Sequence, residues 1–224
     1  MVNYKTIFIS HLNNIIVDKI YNDLLLNKWS FVILELNGAF KVLTKEKSIF
    51  EITDKDRFVE QANKDIYYKT SLLVKKKKVD KDDLKLYKKY IDKYSSRLVK
   101  NIYGGKYIFG SVAVKTNNGF ITTIRGKENL DEFTIVTNVD HEKHIINAFN
   151  KKATLNAPLL HYLFEQNREV KIIVHFNGEF DNNLSTLDYA FPGTEKDSIR
   201  QVSKSFNIRH HGVVYLFNKN GEMI

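Results

Sequence analysis

The residues best able to do chemistry lie in two apolar segments of the last third of the chain. These are Val170-Lys171-Ile172-Ile173-Val174-His175-Phe176-Asn177 and Ile208-Arg209-His210-His211-Gly212-Val213-Val214. Runs rich in Val and Ile suit strands buried on one or both faces, so each imidazole falls at or near a strand end, where side chains converge. Metal sites are commonly built this way. The chain has no cysteine, which excludes disulfides, zinc thiolates and thiol nucleophiles; any metal must be held by His, Asn or carboxylate. A Pro-started helical stretch, Ala157 to Asn167, precedes the first segment, and a Pro192-Gly193-Thr194 turn lies between the two.

The elements that position these residues need a substantial core, and the composition allows one. The chain has 224 residues, of which 43% are hydrophobic and 12% aromatic; one or two domains can be built from it. No apolar stretch approaches the roughly 18 residues of a spanning helix, and no signal-like pattern opens the chain. The expectation is a cytoplasmic protein with no membrane partner. The formal net charge of +9 comes mostly from lysines spread along the chain. Direct base readout favours Arg, which is scarce, and phosphate tracking needs a basic stripe with interleaved aromatics, so no nucleic-acid partner is expected.

The run Lys75-Lys76-Lys77-Lys78 reads as a solvated linker and marks the expected boundary between a small α/β unit, 1–78, and a larger domain, 79–224. In the first unit Ser10 can cap a helix through Leu25, Phe31 to Leu36 reads as a strand, and Asn37-Gly38 is a strong hairpin signal returning through Phe40 to Leu43. Ser48 to Ile52 is a third strand, Asp54 opens a second helix, and an apolar stretch follows at Ser71 to Val74. In the second, Asp80 starts a helix whose Leu84, Leu86, Tyr87, Tyr90, Ile91, Tyr94 and Leu98 form one stripe, with Asp82 and Asp83 complementing its dipole. Such a stripe reads as core rather than as a stacking platform. Gly104-Gly105 ends the helix, Tyr107 to Thr116 and Phe120 to Ile124 read as strands around Asn117-Asn118-Gly119, and a second helix-and-strand set is expected from Asp131 onward.

From Gly110 onward, the order of motifs resembles the class II aldolase/adducin family. The matching pieces are Gly110-Ser111-Val112-Ala113-Val114-Lys115, Ile121-Thr122-Thr123-Ile124-Arg125-Gly126, Leu155-Asn156-Ala157-Pro158-Leu159-Leu160-His161, Val174-His175-Phe176-Asn177, Pro192-Gly193-Thr194 and His211-Gly212. The resemblance covers about residues 82–217. The resemblance implies an α/β fold with a central sheet flanked by helices, following the small N-terminal unit. It also implies a divalent metal, zinc in most members, held by three residues that fall here on His175, Asn177 and His211. An amide oxygen is a weak, hard ligand, so two His plus Asn would hold zinc poorly unless water or a partner subunit completed the set. His210 is a poor substitute, since neighbouring strand residues point to opposite faces.

The family's catalytic Glu falls on Ala157, where no carboxylate stands. A positioned acid–base group contributes roughly two to four orders of magnitude, so its loss bears directly on activity. Glu165, Glu179 and Asp181 are carboxylates that could compensate, and nothing in the sequence places them. His161, four residues after Ala157 and on the same helix face, could line the site; a satisfied structural histidine is the plainer reading. The family's phosphate-binding positions fall on Gly110, Ser111, Arg125, Gly126 and Asn156. Glycines let backbone amides approach an anion, the helix starting near Asn156 adds its dipole, and Arg125 could grip a phosphate bidentately. Gly110 and Gly126 could equally serve strand packing and a turn.

Asp140-His141-Glu142-Lys143-His144 looks superficially like a metal motif, but the spacing lacks the residue that would bring both histidines to one helix side. It reads as an exposed turn. Two functions remain open: a metal-dependent lyase, epimerase or dehydratase acting on a small phosphorylated sugar, or a catalytically inactive binding or assembly domain. The resemblance implies a homo-oligomer in either case.

Overall fold

The structure, a computed structural model, describes residues 6–9, 31–36, 39–44, 49–52, 55, 68–73, 79–98, 107–187, 202–208 and 212–224. The two N-terminal helices expected after Ser10 and Asp54, the lysine run, Gly104-Gly105, the Pro192-Gly193-Thr194 turn, His210 and His211 lie outside these residues.

Strands β1 (Thr6–Ile9), β2 (Phe31–Leu36), β3 (Ala39–Thr44) and β4 (Ile49–Ile52) form a four-stranded sheet in that order. β1 runs parallel to β2, and β2 and β3 are antiparallel with Leu36 opposite Ala39. That register is the one a two-residue turn at Asn37-Gly38 imposes. Phe31, Val32, Ile33 and Leu34 are all buried.

The remaining strands form one nine-stranded sheet. They are β5 (Lys69–Leu73), β6 (Ser111–Thr116), β7 (Gly119–Thr123), β8 (Phe133–Asp140), β9 (Ile145–Phe149), β10 (Ile172–Asn177), β11 (Thr186–Leu187), β12 (Phe206–Ile208) and β13 (Gly212–Phe217), in the spatial order β11-β12-β13-β10-β6-β7-β8-β9-β5. β5 pairs in parallel with β9; the sheet therefore takes its last edge strand from the chain before the lysine run. β6 and β10 lie in the interior of the sheet and are buried along almost their whole length, as near-continuous apolar sequences with both faces covered should be.

One helix packs on each face. Helix α1 (Lys81–Leu98) starts at Asp80, whose carbonyl accepts from the Leu84 amide at 3.1 Å and whose carboxylate accepts from the Asp82 amide at 2.8 Å. Its Tyr87, Tyr90, Ile91 and Leu98 join Val112, Val114, Ile172, Val174 and Phe176 in one core. Helix α2 (Ala157–Gln166) sends Ala157, Leu159, Leu160, Leu163 and Phe164 to the other face, against Ala113, Phe120, Ile173 and Val214. Burying a side chain of this size is worth about 1.5–3 kcal/mol, so either helix would be hard to detach. The tyrosine stripe of α1 is thus core, as its spacing predicts. Helical cover is sparser than expected, with only α1 and α2 on this sheet among the described residues.

The segment from Asp131 differs from its expectation. Instead of a helix and a strand it forms the antiparallel pair β8 and β9. Phe133-Thr134-Ile135-Val136-Thr137 is β-branched and aromatic, and its alternate residues Thr134 and Val136 are buried, as is Val139 beyond the register shift between Val136 and Asn138. Period-two burial with β propensity outweighs the weaker helical signal. No helix of the described residues is long and apolar enough to cross a membrane.

Candidate functional site

The site grows from the strand register. Antiparallel pairing of β6 and β10 sets Ser111 directly opposite His175, so both lie on the α2 face of the sheet at the same end. Gly110, just before β6, has φ +89°, and a Cβ there would sit 2.6 Å from the carbonyl oxygen of His175. Only glycine suits both the conformation and the close approach. Ser111 and His175 are fully buried, and the Ser111 hydroxyl has no hydrogen-bond partner among the described residues. A buried hydroxyl in that state is costly.

Asn156 completes this corner. It occupies the N-cap of α2, yet its side chain makes no cap hydrogen bond. The amide nitrogen lies instead 2.8 Å from Nδ1 of His175. A capping Asn is worth about 1 kcal/mol to a helix; here that contribution is given up to hold an imidazole. The contact also links the tautomer to the amide orientation. With the amide N–H donating to Nδ1, the ring proton sits on Nε2; with the amide oxygen accepting from Nδ1–H, Nε2 becomes an acceptor. Ala157 is fully buried in the core; the side chain of the preceding residue, Asn156, reaches His175.

A further group was not among the expected site residues. Lys127 is 3% exposed, and its ammonium donates to the carbonyl of Gly110 at 2.6 Å. Burial pushes its pKa down from 10.5 to about 7, since desolvation disfavours the charged form. Its own carbonyl accepts from the Ile108 amide at 2.9 Å, so the two chain segments bracket each other. One lysine in so lysine-rich a sequence gives no signal beyond its place after the Arg125-Gly126 turn. Gly126 has φ +63°, as a turn glycine does. Arg125 anchors to the backbone leading into α2, its amide bonding to the carbonyl of Lys152 at 2.9 Å and its Nε to that of Ala153 at 3.2 Å.

The three expected metal positions are only partly described. His175 and Asn177 are alternate residues of β10 and share a face, and Asn177 is opposite Gly212. His211 lies outside the described residues. Among the described residues no three His, Asp or Glu side chains gather as a metal-binding group. One imidazole and one amide do not by themselves fit zinc, which takes four ligands of N, S or carboxylate type.

The carboxylates named as substitutes for the missing acid have other partners. Glu179 accepts from Nε of Arg97 at 3.0 Å, and Arg97 in turn lies 3.7 Å from the ring centre of Phe176, on the α1 face. Asp181 accepts from the Asn183 amide at 3.0 Å and from the Tyr215 hydroxyl at 3.1 Å; the Asn183 backbone contact first, and the Tyr215 contact, hold its carboxyl below the usual range. Glu165 sits 3.5 Å from Nε2 of His161 and is largely exposed.

His161 is drawn to a second cluster. Its Nδ1 lies 3.1 Å from Nε2 of His141, whose Nδ1 is 2.8 Å from the Tyr68 hydroxyl. Burial pulls the His161 pKa down, against a smaller opposing pull from Glu165. The Asp140–His144 segment is the turn that its sequence predicts, with the Asp140 carboxylate accepting from the amides of Glu142 and Lys143 at 3.1 and 2.9 Å. It is less exposed than expected, because His141 and His144 turn in against Tyr68.

The described architecture is therefore a mixed α/β protein with a large central sheet, in which the buried Ser111, His175 and Asn156 come together where β6, β10 and α2 meet. Solved structures similar to it include YgbL from Escherichia coli, described as a putative aldolase/epimerase/decarboxylase, at 14% identity, 59% of this chain, 76% of that chain and TM-score 0.44. An L-fuculose 1-phosphate aldolase is similar at 12% identity, 62% and 76% coverage and TM-score 0.45; the L-fuculose-1-phosphate aldolase of Thermus thermophilus is similar at 14% identity, 60% and 80% coverage and TM-score 0.42. No protein-family model matches the chain, and no curated protein matches it.

Proposed function

We propose that this chain is a divergent class II aldolase-like domain that binds a small phosphorylated sugar, or a related anion, around Gly110, Ser111, Asn156 and His175, without performing the proton transfer of the enzymes it resembles. The observation that carries this reading is the Asn156–His175 contact. The side chain turned toward the imidazole is an amide, which cannot exchange a proton as a carboxylate does near neutral pH. Ser111 supplies a buried hydroxyl, the Gly110–Ser111 backbone comes close to His175, and Lys127 adds a cation whose charge a bound anion would favour.

Titration calorimetry with glycerol 3-phosphate tests it. The expected result is saturable binding, weakened about tenfold or more by Ser111→Ala, with no turnover of phosphorylated ketoses. Absence of binding, or binding indifferent to Ser111→Ala, would overturn the reading.

A second reading, a metal-dependent lyase, epimerase or dehydratase, is favoured by one placement: His175 and Asn177 share a face at the end of β10. With His211 as third ligand they would hold a divalent ion, zinc by resemblance. Elemental mass spectrometry of the protein purified without chelators decides between the two, near one divalent ion per chain supporting the enzyme and a metal-free folded protein the binding domain. A homo-oligomer belongs to both readings and is read by light scattering.

A further inference from the structure

The antiparallel pairing that gathers Ser111, His175 and Asn156 at one end of β6 and β10 gathers a second set of residues at the other. Ser111 and Lys115 lie four residues apart along β6, roughly 13 Å at strand rise. Lys115 stands near the end of β6, Lys171 immediately before β10, Lys219 after β13 and Arg168 after α2, and these four cations line one cavity of about 470 Å³. Asn117 and Asn220 add amide donors to its wall, and Glu169 is its one acid.

Two of the cations are held in place. The Lys115 ammonium donates to the carbonyl of Phe164 at 2.5 Å, and Lys171 donates to the Lys115 carbonyl and to Asp83, each at 2.7 Å. Asp83 thus offsets Lys171, whereas Lys115 rests on a neutral carbonyl. Arg168 and Lys219 are exposed and have no ion-pair partner among the described residues. Burial first, then the nearby charges of Lys171 and Arg168, hold Lys115 below the ordinary lysine range, with Glu165 pulling the other way. Like charges gathered around one concavity repel one another, and an anion placed among them relieves that repulsion.

We propose that this cavity is a second binding site, distinct from the one around His175, for a small polyanion bearing one or two phosphate groups. Its size suits a compact phosphorylated metabolite. Lys115 and Lys171 form the fixed floor, and Arg168, whose planar fork matches phosphate oxygens, closes the rim with Lys219.

The test is titration calorimetry with inorganic pyrophosphate on the whole chain. The wild type should bind with a dissociation constant that rises with salt. The exposed pair Arg168→Ala with Lys219→Ala, which leaves the core untouched, should weaken binding at least tenfold, and by the same factor when introduced into Ser111→Ala, at the opposite end of β6. No pyrophosphate binding at millimolar concentration, or equal binding by the double variant, overturns the proposal. Loss of all pyrophosphate affinity on Ser111→Ala would assign the anion to the His175 end and overturn it equally. If a single-stranded oligonucleotide binds through Arg168 and Lys219 while pyrophosphate does not, the surface reads a polymer and the small-anion site is refuted.

Discussion

The amide nitrogen of Asn156 and Nδ1 of His175 lie 2.8 Å apart, joining the N-cap of a helix to an interior strand of a sheet. Both residues are buried. The N-cap amide thereby serves the imidazole rather than its own helix, and the state of the ring is tied to a residue far from it in sequence.

Replacing Asn156 tests that link. Asn156→Ala removes a partner of a buried imidazole nitrogen and should destabilise the fold by about 1–3 kcal/mol; urea denaturation measures it. Asn156→Asp puts a carboxylate against the ring and should favour the protonated imidazole of His175 relative to the wild type, followed by imidazole resonances in a pH titration. An unmoved His175 resonance in both variants would sever the contact.

Lys127 makes stability depend on pH in the alkaline range. Its folded pKa is about 7 against 10.5 for the ordinary group, so between those values the unfolded chain holds the extra proton and stability rises with pH. The slope should approach about 1.4 kcal/mol per pH unit. In Lys127→Met that contribution should vanish and stability at neutral pH should rise, offset in part by the lost bond to the Gly110 carbonyl. Chemical denaturation of both proteins from pH 7 to 10 checks it, and parallel curves would show that burial does not lower the Lys127 pKa.

Gly110 tolerates no side chain. In Gly110→Ala the new Cβ meets the His175 carbonyl at 2.6 Å on a backbone with φ +89°, and strain plus overpacking should cost about 2–4 kcal/mol. Thermal unfolding reads the loss. A melting temperature within about 2 °C of the wild type, roughly half a kcal/mol in a chain of this size, would count against the close packing of Gly110 on β10.

The His141–His161 pair gives an acid-side dependence of its own. Burial lowers the His161 pKa, so below its ordinary value of 6.5 the unfolded state takes up the proton first and stability falls with pH. Protonation of both rings would also set two cations at the 3.1 Å contact. His161→Leu should flatten the stability profile between about pH 6.5 and 5, measured by urea denaturation, and a profile identical to the wild type would locate the acid sensitivity elsewhere.

Local pattern determined much of this protein. Val and Ile runs mark β2, β6 and β10, the stripe from Leu84 to Leu98 marks α1, Pro158 marks the start of α2, and the position of His175 near a strand end is readable from periodicity, because each depends on a few neighbours in the chain; Gly110, Ser111 and Asn156 stand out only through the order of motifs, and the strand expected from Tyr107 starts at Ser111. What the tertiary structure alone decided depends on pairing between distant segments. Register sets Ser111 opposite His175, turns the Asn156 amide from its helix to an imidazole, buries Lys127 against Gly110, draws His141 to His161 and brings Lys115, Arg168, Lys171 and Lys219 around one cavity. The stretch from Phe133 to Phe149 is hard to read in the sequence because its alternation declares itself as a sheet only when β7 and β5 lie on either side of it. A lysine's charge and a histidine's partner are set by what surrounds them in space, and sequence adjacency carries no record of that.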